Sequence, residues 1–339
     1  MLIGTIMAAC VGIIAASTSM LTLVALPSML RRGYDKSLAT GSICAGGTLG
    51  ILIPPSIMLV LYGPMSGLSV GKLFFAAFVP GFLLSGLYCS YIALRSLLQP
   101  KVAPSVPIEE RAIPFIKKTT KLLAALVPPG ILIMSVLGVI FLGVAAPTEA
   151  AGVGAFAATL LAIGYRKFNW QVLKDVTTTT FRLAGFILLI GSLCFAFTGV
   201  FIRAGCDEVV EHFIVTAPGG QWGAFAIIMF IVFMLGFFID WVGIVFIMVP
   251  IITPIGLALG FDPLWFGMMV CVNLQMSFMT PPFAWAIFIV RGTADPKLGV
   301  TTGDIIRGVI PFVILIMIGL GLCISFPQLI LWLPGQMIK

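Results

Sequence analysis

The chain alternates long apolar runs with short polar interruptions, and the run lengths predict its elements. Residues 2–14 are apolar, Ala15 to Ser19 (AASTS) are small and polar, and Met20 to Leu30 are apolar again. Neither arm reaches the roughly 20 residues needed to cross a bilayer. Residues 1–32 therefore read as a re-entrant hairpin with AASTS at its tip; one continuous helix is the alternative. A basic turn, Arg31 to Lys36, leads to an interrupted helix at 37–63 and a full span at 71–98. The polar connection 99–120 is rich in proline, and its Lys101, Arg111, Lys117 and Lys118 outweigh Glu109 and Glu110. Spans are expected near 121–143, 148–165 and 180–202. Two short arms, 222–238 and 244–258, flank Asp240-Trp241 and read as a second hairpin, 222–258. An interrupted helix at 264–292 and a span at 303–331 complete the pattern. The chain thus divides into a first unit (1–98), the connection, intervening helices (121–203) and a second unit (204–339).

The two interruptions are GTLGILIPPS, Gly47 to Ser56, and NLQMSFMTPPF, Asn273 to Phe283. Pro54-Pro55 and Pro281-Pro282 remove backbone donors, and the residue before each proline is pushed away from helix. In lipid, a broken backbone persists only where protein buries it or where it lines a polar cavity. Two such breaks at matching places in two halves point to a transporter's binding site. The halves also overlay at one spacing. Pro27, Gly33, Asp35, Pro54 and Pro55 each move by 227 positions onto Pro254, Gly260, Asp262, Pro281 and Pro282. Further on, Gly71 and Pro80 resemble Gly303 and Pro311, with the spacing drifting to 232 and 231.

Composition agrees with a polytopic membrane protein: 60% of residues are hydrophobic and 9% charged. The formal charge of +7 sits in a few loops, which is a topology signal and not a nucleic-acid stripe. Basic loops face the cytoplasm, which places Arg31–Lys36, the 99–120 connection and Arg166–Lys174 inside. The acidic patch Asp207, Glu208 and Glu211, read as a loop that also carries His212, goes outside with the 260–263 turn. With both hairpins re-entrant, the two units are inverted repeats in an all-α membrane fold. The seven cysteines are scattered without CxxC or Cys/His spacing, so no zinc site or disulfide framework is indicated. No GxSxG, HExxH or phosphate-binding glycine loop occurs, and no enzyme is expected.

The polar side chains near the breaks are neutral oxygen and amide groups: Ser17, Thr18, Ser19 and Thr48 beside Gly46 and Gly47, then Asn273, Gln275, Ser277 and Thr280. Hydroxyls and freed carbonyls suit a hard monovalent cation, and half-helix N-termini suit a carboxylate. Asp240, at the second hairpin tip, is expensive within a bilayer and so a cation-site or tip-structure candidate. Thr148-Glu149 reads as a helix cap.

These stretches resemble the large membrane subunit of the tripartite ATP-independent periplasmic (TRAP) transporters. The resemblance is carried by RRGYDKSLATGSICAGGTLGILIPPSIMLVLYG at 31–63, APTEAAGVGA at 146–155, GFFIDWVGIVFIMVPIITPI at 236–255, GFDPLWFG at 260–267, NLQMSFMTPPFAWAIF at 273–288 and TTGDIIRGVIPF at 301–312. It implies a sodium-coupled, elevator-type importer of organic acids in the bacterial inner membrane. It also implies a small DctQ-like membrane subunit and a periplasmic substrate-binding protein as partners, and sodium sites at hairpin tips and breaks near Ser17, Thr18, Gly47, Thr48, Asp240, Asn273 and Thr280. A stand-alone ion-coupled carboxylate carrier without a binding protein is the alternative. The family's large subunit has further helices before the first hairpin, so the 339 residues alone are expected not to transport.

Overall fold

The computed structural model describes residues 1–104 and 115–337, and all regular structure among them is helical. The first half holds α1 (Leu2–Val11), α2 (Ile14–Arg31), α3 (Lys36–Thr48), α4 (Ile57–Ser66) and α5 (Val70–Leu98). The middle holds α6 (Phe115–Phe141), α7 (Pro147–Gly164), α8 (Trp170–Arg203) and α9 (Cys206–Val215). The second half holds α10 (Gly220–Leu235), α11 (Trp241–Ala258), α12 (Pro263–Ser277), α13 (Trp285–Thr293), α14 (Thr302–Ser325) and α15 (Gln328–Leu331). Among the described residues six helices are long and apolar enough to cross a bilayer: α2, α5, α7, α8, α11 and α14. Helices α7 and α8 leave most of their apolar surface uncovered by the rest of the chain, as Phe181 and Leu188 illustrate. The chain is a polytopic, all-helical membrane protein.

The first reversal lies earlier than the sequence suggests. The chain turns at Gly12-Ile13, and the AASTS tract is helical, inside α2. Gly12 takes a left-handed φ of 67° and its N–H donates to Ala8 O, which closes α1 with the cap only glycine adopts freely. Small hydroxyl residues do not forbid helix when their side chains pack, so α2 grows to 18 residues against 10 for α1. One cavity is walled by Gly4 and Met7 of α1 and by Met20, Leu21 and Met29 of α2, so the arms run antiparallel. The second pair, α10 and α11, turns through Gly236 to Asp240, and Trp222 at the start of α10 meets Phe261, just beyond α11, edge to face (5.5 Å).

Three smaller readings also change. The acidic 207–211 stretch is helix, not loop: Val210 and Ile214 give α9 an inner face, Asp207 and Glu208 occupy its first turn, and Glu211 and His212 are exposed. Helix α7 is capped by Glu149, whose Oε2 accepts the Ala146 N–H at 3.0 Å, with Thr148 inside the first turn. The pair Pro128-Pro129 lies within the continuous helix α6, so a proline pair alone does not make a break. Glu109, Glu110 and Arg111 lie outside the described residues.

The breaks are real interruptions. Helix α3 gives way to a tight turn at Leu49–Ile51 and helix resumes only at Ile57; α12 ends at Ser277 and helix resumes at Trp285. Both proline–proline peptide bonds are cis. Local structure follows the 227-residue spacing. Helices α2 and α11 are both 18 residues and begin and end at corresponding positions. Gly33 and Gly260 have φ of 77° and 85°. Asp35 accepts the N–H groups of Ser37 and Leu38, and Asp262 those of Leu264 and Trp265.

The two halves pack by exchange. Helix α2 lies on α13 of the other half, and its counterpart α11 lies on α4; α3 lies on α14, and α12 on α5. Helix α14 shows the relative direction. Near its start Gly308 meets Gly41, close to the start of α3, whereas at its far end Cys323 O accepts the Trp265 indole N–H (3.1 Å), close to the start of α12. A 24-residue helix is about 36 Å long. The capped starts of α3 and α12 therefore lie at opposite ends of the molecule, and both helices run inward to their breaks.

A Cβ at Gly308 would collide with Ser37 O, and one at Gly41 with Gly308 O, whereas a Cβ at Gly321 on the same helix meets nothing. Gly308→Ala is expected to lower stability by about 1–3 kcal/mol, the usual cost of overpacking. Gly321→Ala is expected to leave it unchanged. Thermal unfolding of the two variants in detergent checks this.

Candidate functional site

Four helices begin around one cavity of about 250 Å³. Ile13 and Ala15 come from the first hairpin turn and start of α2, and Ile57 opens α4. Asp240, Trp241 and Val242 come from the second hairpin turn and the start of α11, and Trp285 opens α13. Leu183, Phe186 and Ile187 of α8 form the remaining wall with Phe283 of the second break, whose ring stacks on Trp285 (5.8 Å, 8°). The geometry follows from the turns. Gly12 sits against Pro55, where an added Cβ would lie 2.6 Å from Pro55 O, and the Ile57 N–H reaches back to Gly12 O (3.5 Å).

A helix N-terminus carries roughly half a positive charge and N–H groups without intrahelical partners. Of the four starts here, only that of α11 has a side-chain cap: Asp240 Oδ2 accepts the Val242 N–H (3.4 Å). The N-cap residues Ile13, Ser56 and Ala284 make no side-chain cap bond. Three N-termini without side-chain caps, two of which give one N–H to backbone (Ile57 to Gly12 O, 3.5 Å; Ala286 to Phe278 O, 3.1 Å), and one half-buried carboxylate thus share an otherwise apolar, aromatic-walled space. Such a space suits a small organic anion, with a cation close to Asp240 balancing the local charge.

A second feature lies one turn further into α2. Ser17 and Thr18 are fully buried, and neither hydroxyl has a partner. Thr18 packs on Gly47, where a Cβ would collide with it, and Ser17 packs on Gly50, whose added Cβ would lie 3.0 Å from Ser17 Oγ. Ser56 Oγ donates to Ile51 O inside the same break. Thr48 Oγ1 donates to Ala45 O (3.1 Å) and touches Met279 Sδ (3.8 Å), joining the first break to the second.

The remaining sequence candidates divide. Asn273 Nδ2 donates to Met229 O (2.7 Å) and Ser277 Oγ to Phe233 O (3.3 Å), so both tie α12 to α10. Thr280 Oγ1 donates to Met276 O (2.6 Å) within its own turn. Gly46 packs against Gly4 and Leu21, and Ser19 is half-buried. Gln275, the counterpart of Thr48, is fully buried with neither amide atom partnered. Pro54 and Pro55, like Pro281 and Pro282, lie between the half-helices. The structure thus joins Ser17, Thr18, Gly47 and Thr48, sets Asp240 at the cavity, and gives Asn273, Ser277 and Thr280 bonds to backbone.

A family model for the tripartite ATP-independent periplasmic transporter, DctM component, matches residues 2–329. The chain belongs to the DctM family. It is 30% identical over 315 residues to the C4-dicarboxylate TRAP transporter large permease protein DctM of Pseudomonas aeruginosa, covering 92% of this chain and 71% of that one. It is 29% identical over 316 residues to the sialic acid TRAP transporter large permease protein SiaM of Vibrio cholerae, covering 91% and 70%. It is 27% identical over 309 residues to the ectoine TRAP transporter large permease protein TeaC of Halomonas elongata, again covering 91% and 70%. This DctM-family chain is a transporter permease, not an enzyme.

The sequence reading missed the apolar walls of the DctM-family cavity and the glycines that set its distances. Ile13, Ile57, Phe283 and Trp285 look like any other apolar residues until the turns are placed. Gly236 carried a usable signal: it precedes Asp240 by one turn, and a Cβ there would collide with Ser277.

Because the hydroxyls of Ser17 and Thr18 are buried without partners, the unliganded protein gains nothing from them; an unmet buried polar group costs about 1–3 kcal/mol. Ser17→Ala with Thr18→Val is therefore expected to leave stability in sodium-free detergent equal or higher. A clear fall in the unfolding temperature would show that the protein itself uses those hydroxyls.

Proposed function

We propose that this chain is the membrane permease of a sodium-coupled, binding-protein-dependent importer of organic acids in a bacterial inner membrane. The observation that supports this best is the meeting of three side-chain-uncapped helix N-termini and Asp240 at one cavity drawn from both halves. A carboxylate there is held by N–H groups without a counter-charged side chain; helix termini contribute about 0.3–1 kcal/mol each when exposed and up to about 2 in partly buried geometry. The C4-dicarboxylates, sialic acid and ectoine named for the relatives all carry a carboxylate, which supports an organic acid as the substrate class.

Sodium occupies the break regions in this reading. Ser17 and Thr18 supply unpartnered oxygens beside Gly47 and Thr48, Gln275 supplies an unpartnered amide in the counterpart break, and Asp240 supplies the carboxylate. Asn273, Ser277 and Thr280 position the second break by their backbone bonds, with Ser19 and Gly46 packing beside the first. The opposed starts of α3 and α12 support inverted repeats. Helices α1 to α4 and α10 to α13 then form a transport body that moves against α6 to α8 as an elevator. The uncovered faces of α7 and α8 are open to lipid or to a small DctQ-like subunit, and a periplasmic binding protein delivers the substrate.

Uptake in proteoliposomes tests the reading. The full-length permease is reconstituted with its small subunit under an inward sodium gradient. Accumulation of a labelled organic acid is expected to require both sodium and the binding protein, and Asp240→Asn is expected to reduce it at least tenfold, about 1.4 kcal/mol of coupling. Accumulation with sodium alone would make the protein a stand-alone carrier, and accumulation unaffected by sodium would refute the coupling.

A further inference from the structure

The end of the molecule that collects its basic turns contains a cavity unused by the transport reading. The backbone and side chains bring these turns together: Asp35 N–H donates to Val102 O (2.9 Å), Lys36 Nζ to Gly299 O (2.6 Å) and Arg291 Nη1 to Val300 O (2.6 Å). Arg31, Arg32, Lys36, Arg95, Lys101, Arg291, Lys297 and Arg307 lie in or beside these turns, together with Asp35, Asp295 and Asp304. Such an excess marks the cytoplasmic end.

Within this end a cavity of about 320 Å³ opens between the starts of α3 and α14 and the end of α5. Arg95 and Arg307 line it from opposite helices, with Tyr91 one turn before Arg95. Neither guanidinium has a hydrogen-bond or ion-pair partner among the described residues. Asp35 is the carboxylate in the described wall, and its Oδ1 accepts the N–H groups of Ser37 and Leu38 (2.9 and 3.1 Å). Asp304, one turn before Arg307, is held by Thr301 N–H and Oγ1 (2.9 and 2.7 Å). Both acids thus accept helix-cap N–H groups; Asp304 also attracts Arg307 across one turn, but neither guanidinium is held in a hydrogen bond among the described residues, so both can turn to an external anion.

We propose that this cavity binds the phosphate of an anionic phospholipid. A guanidinium fork matches two phosphate oxygens, and two forks from different helices fix the headgroup more firmly than point charges do. The neighbouring walls favour a lipid over a free ion. Leu38 is shared with a cavity of about 240 Å³, which itself shares Ser28, Met29 and Ser42 with an apolar cavity of about 360 Å³ between α1 and α2. A polar lining thus lies next to an apolar one that includes Met7, Met20 and Val24, the neighbouring environments that a headgroup and its acyl chain require. Basic pockets between helices on the cytoplasmic side are suited to anionic headgroups.

The experiment is native mass spectrometry of the full-length, delipidated protein titrated with phosphatidylglycerol, with phosphatidylcholine and with inorganic phosphate. Phosphatidylglycerol is expected to bind more tightly than phosphatidylcholine, and Arg95→Gln and Arg307→Gln each to weaken it about fivefold, the scale of one basic side chain at an anionic surface. Lys297→Gln, at the same end but outside the cavity, is expected to leave affinity unchanged. Arg95→Lys with Arg307→Lys is expected to recover part of it. Since both arginines are exposed, the lipid-free unfolding temperature of the variants is expected to match that of the parent, which separates lost binding from lost folding. Unchanged phosphatidylglycerol affinity in the double Gln variant, or an equal loss with Lys297→Gln, would overturn the site. Inorganic phosphate that displaces phosphatidylglycerol and fails to bind the double Gln variant would overturn the lipid and assign the same arginines to a soluble phosphate.

Discussion

Backbone that leaves a helix inside lipid must be buried by protein, because no water is present to satisfy it. That constraint explains most of this architecture. Each half contains one interrupted helix, and each interruption is covered by an arm from a hairpin. In the first half α2 lies along α3, with Thr18 on Gly47 and Ser17 by Gly50; in the second, Gly236 of the hairpin turn meets Ser277. The exchange of α2 onto α13 and of α11 onto α4 makes each half necessary for burying the other's break. Removing either half would expose unpaired backbone to hydrocarbon.

The same burial creates the chemistry. A hairpin turn that covers a break brings its own helix start to the start of the half-helix beyond that break. With two hairpins and two breaks, four helix starts converge, and the cavity gains positive potential from backbone alone. Side-chain charge is scarce there: Asp240 is the charged residue in its wall. The local field is therefore set by helix position, and small movements of either hairpin change it. Close glycine contacts keep these positions fixed, because a single methyl group at Gly47 or Gly308 cannot be accommodated without displacing a neighbouring helix.

Much of this was legible in the sequence where a residue type has one physical consequence. Proline pairs, the Gly33 and Gly260 turns and the Asp35 and Asp262 caps were readable, because each changes backbone conformation or hydrogen bonding locally. The third proline pair, Pro128-Pro129, shows the limit: it continues as helix, so the other two depend on context the sequence does not carry. The first hairpin turn was misplaced because AASTS looks polar, whereas the turn is made by Gly12 within an apolar run. Ser17 and Thr18 were identified by composition and turned out buried without partners, but Asn273 and Ser277, chosen on the same grounds, bond to carbonyls of α10. Which of these hydroxyls and amides remains unpartnered depends on helix rotation across more than forty residues of sequence, which spacing within one helix cannot reveal.

The central claim is that the two breaks and two hairpin turns form one ligand-responsive unit. Amide hydrogen exchange of the reconstituted full-length protein, with and without sodium, tests it most directly. Sodium is expected to protect residues 12–18, 47–57, 236–242 and 273–286 together while leaving α7 and α9 unchanged. No protection in either break, or protection confined to the loops between the middle helices, would contradict it.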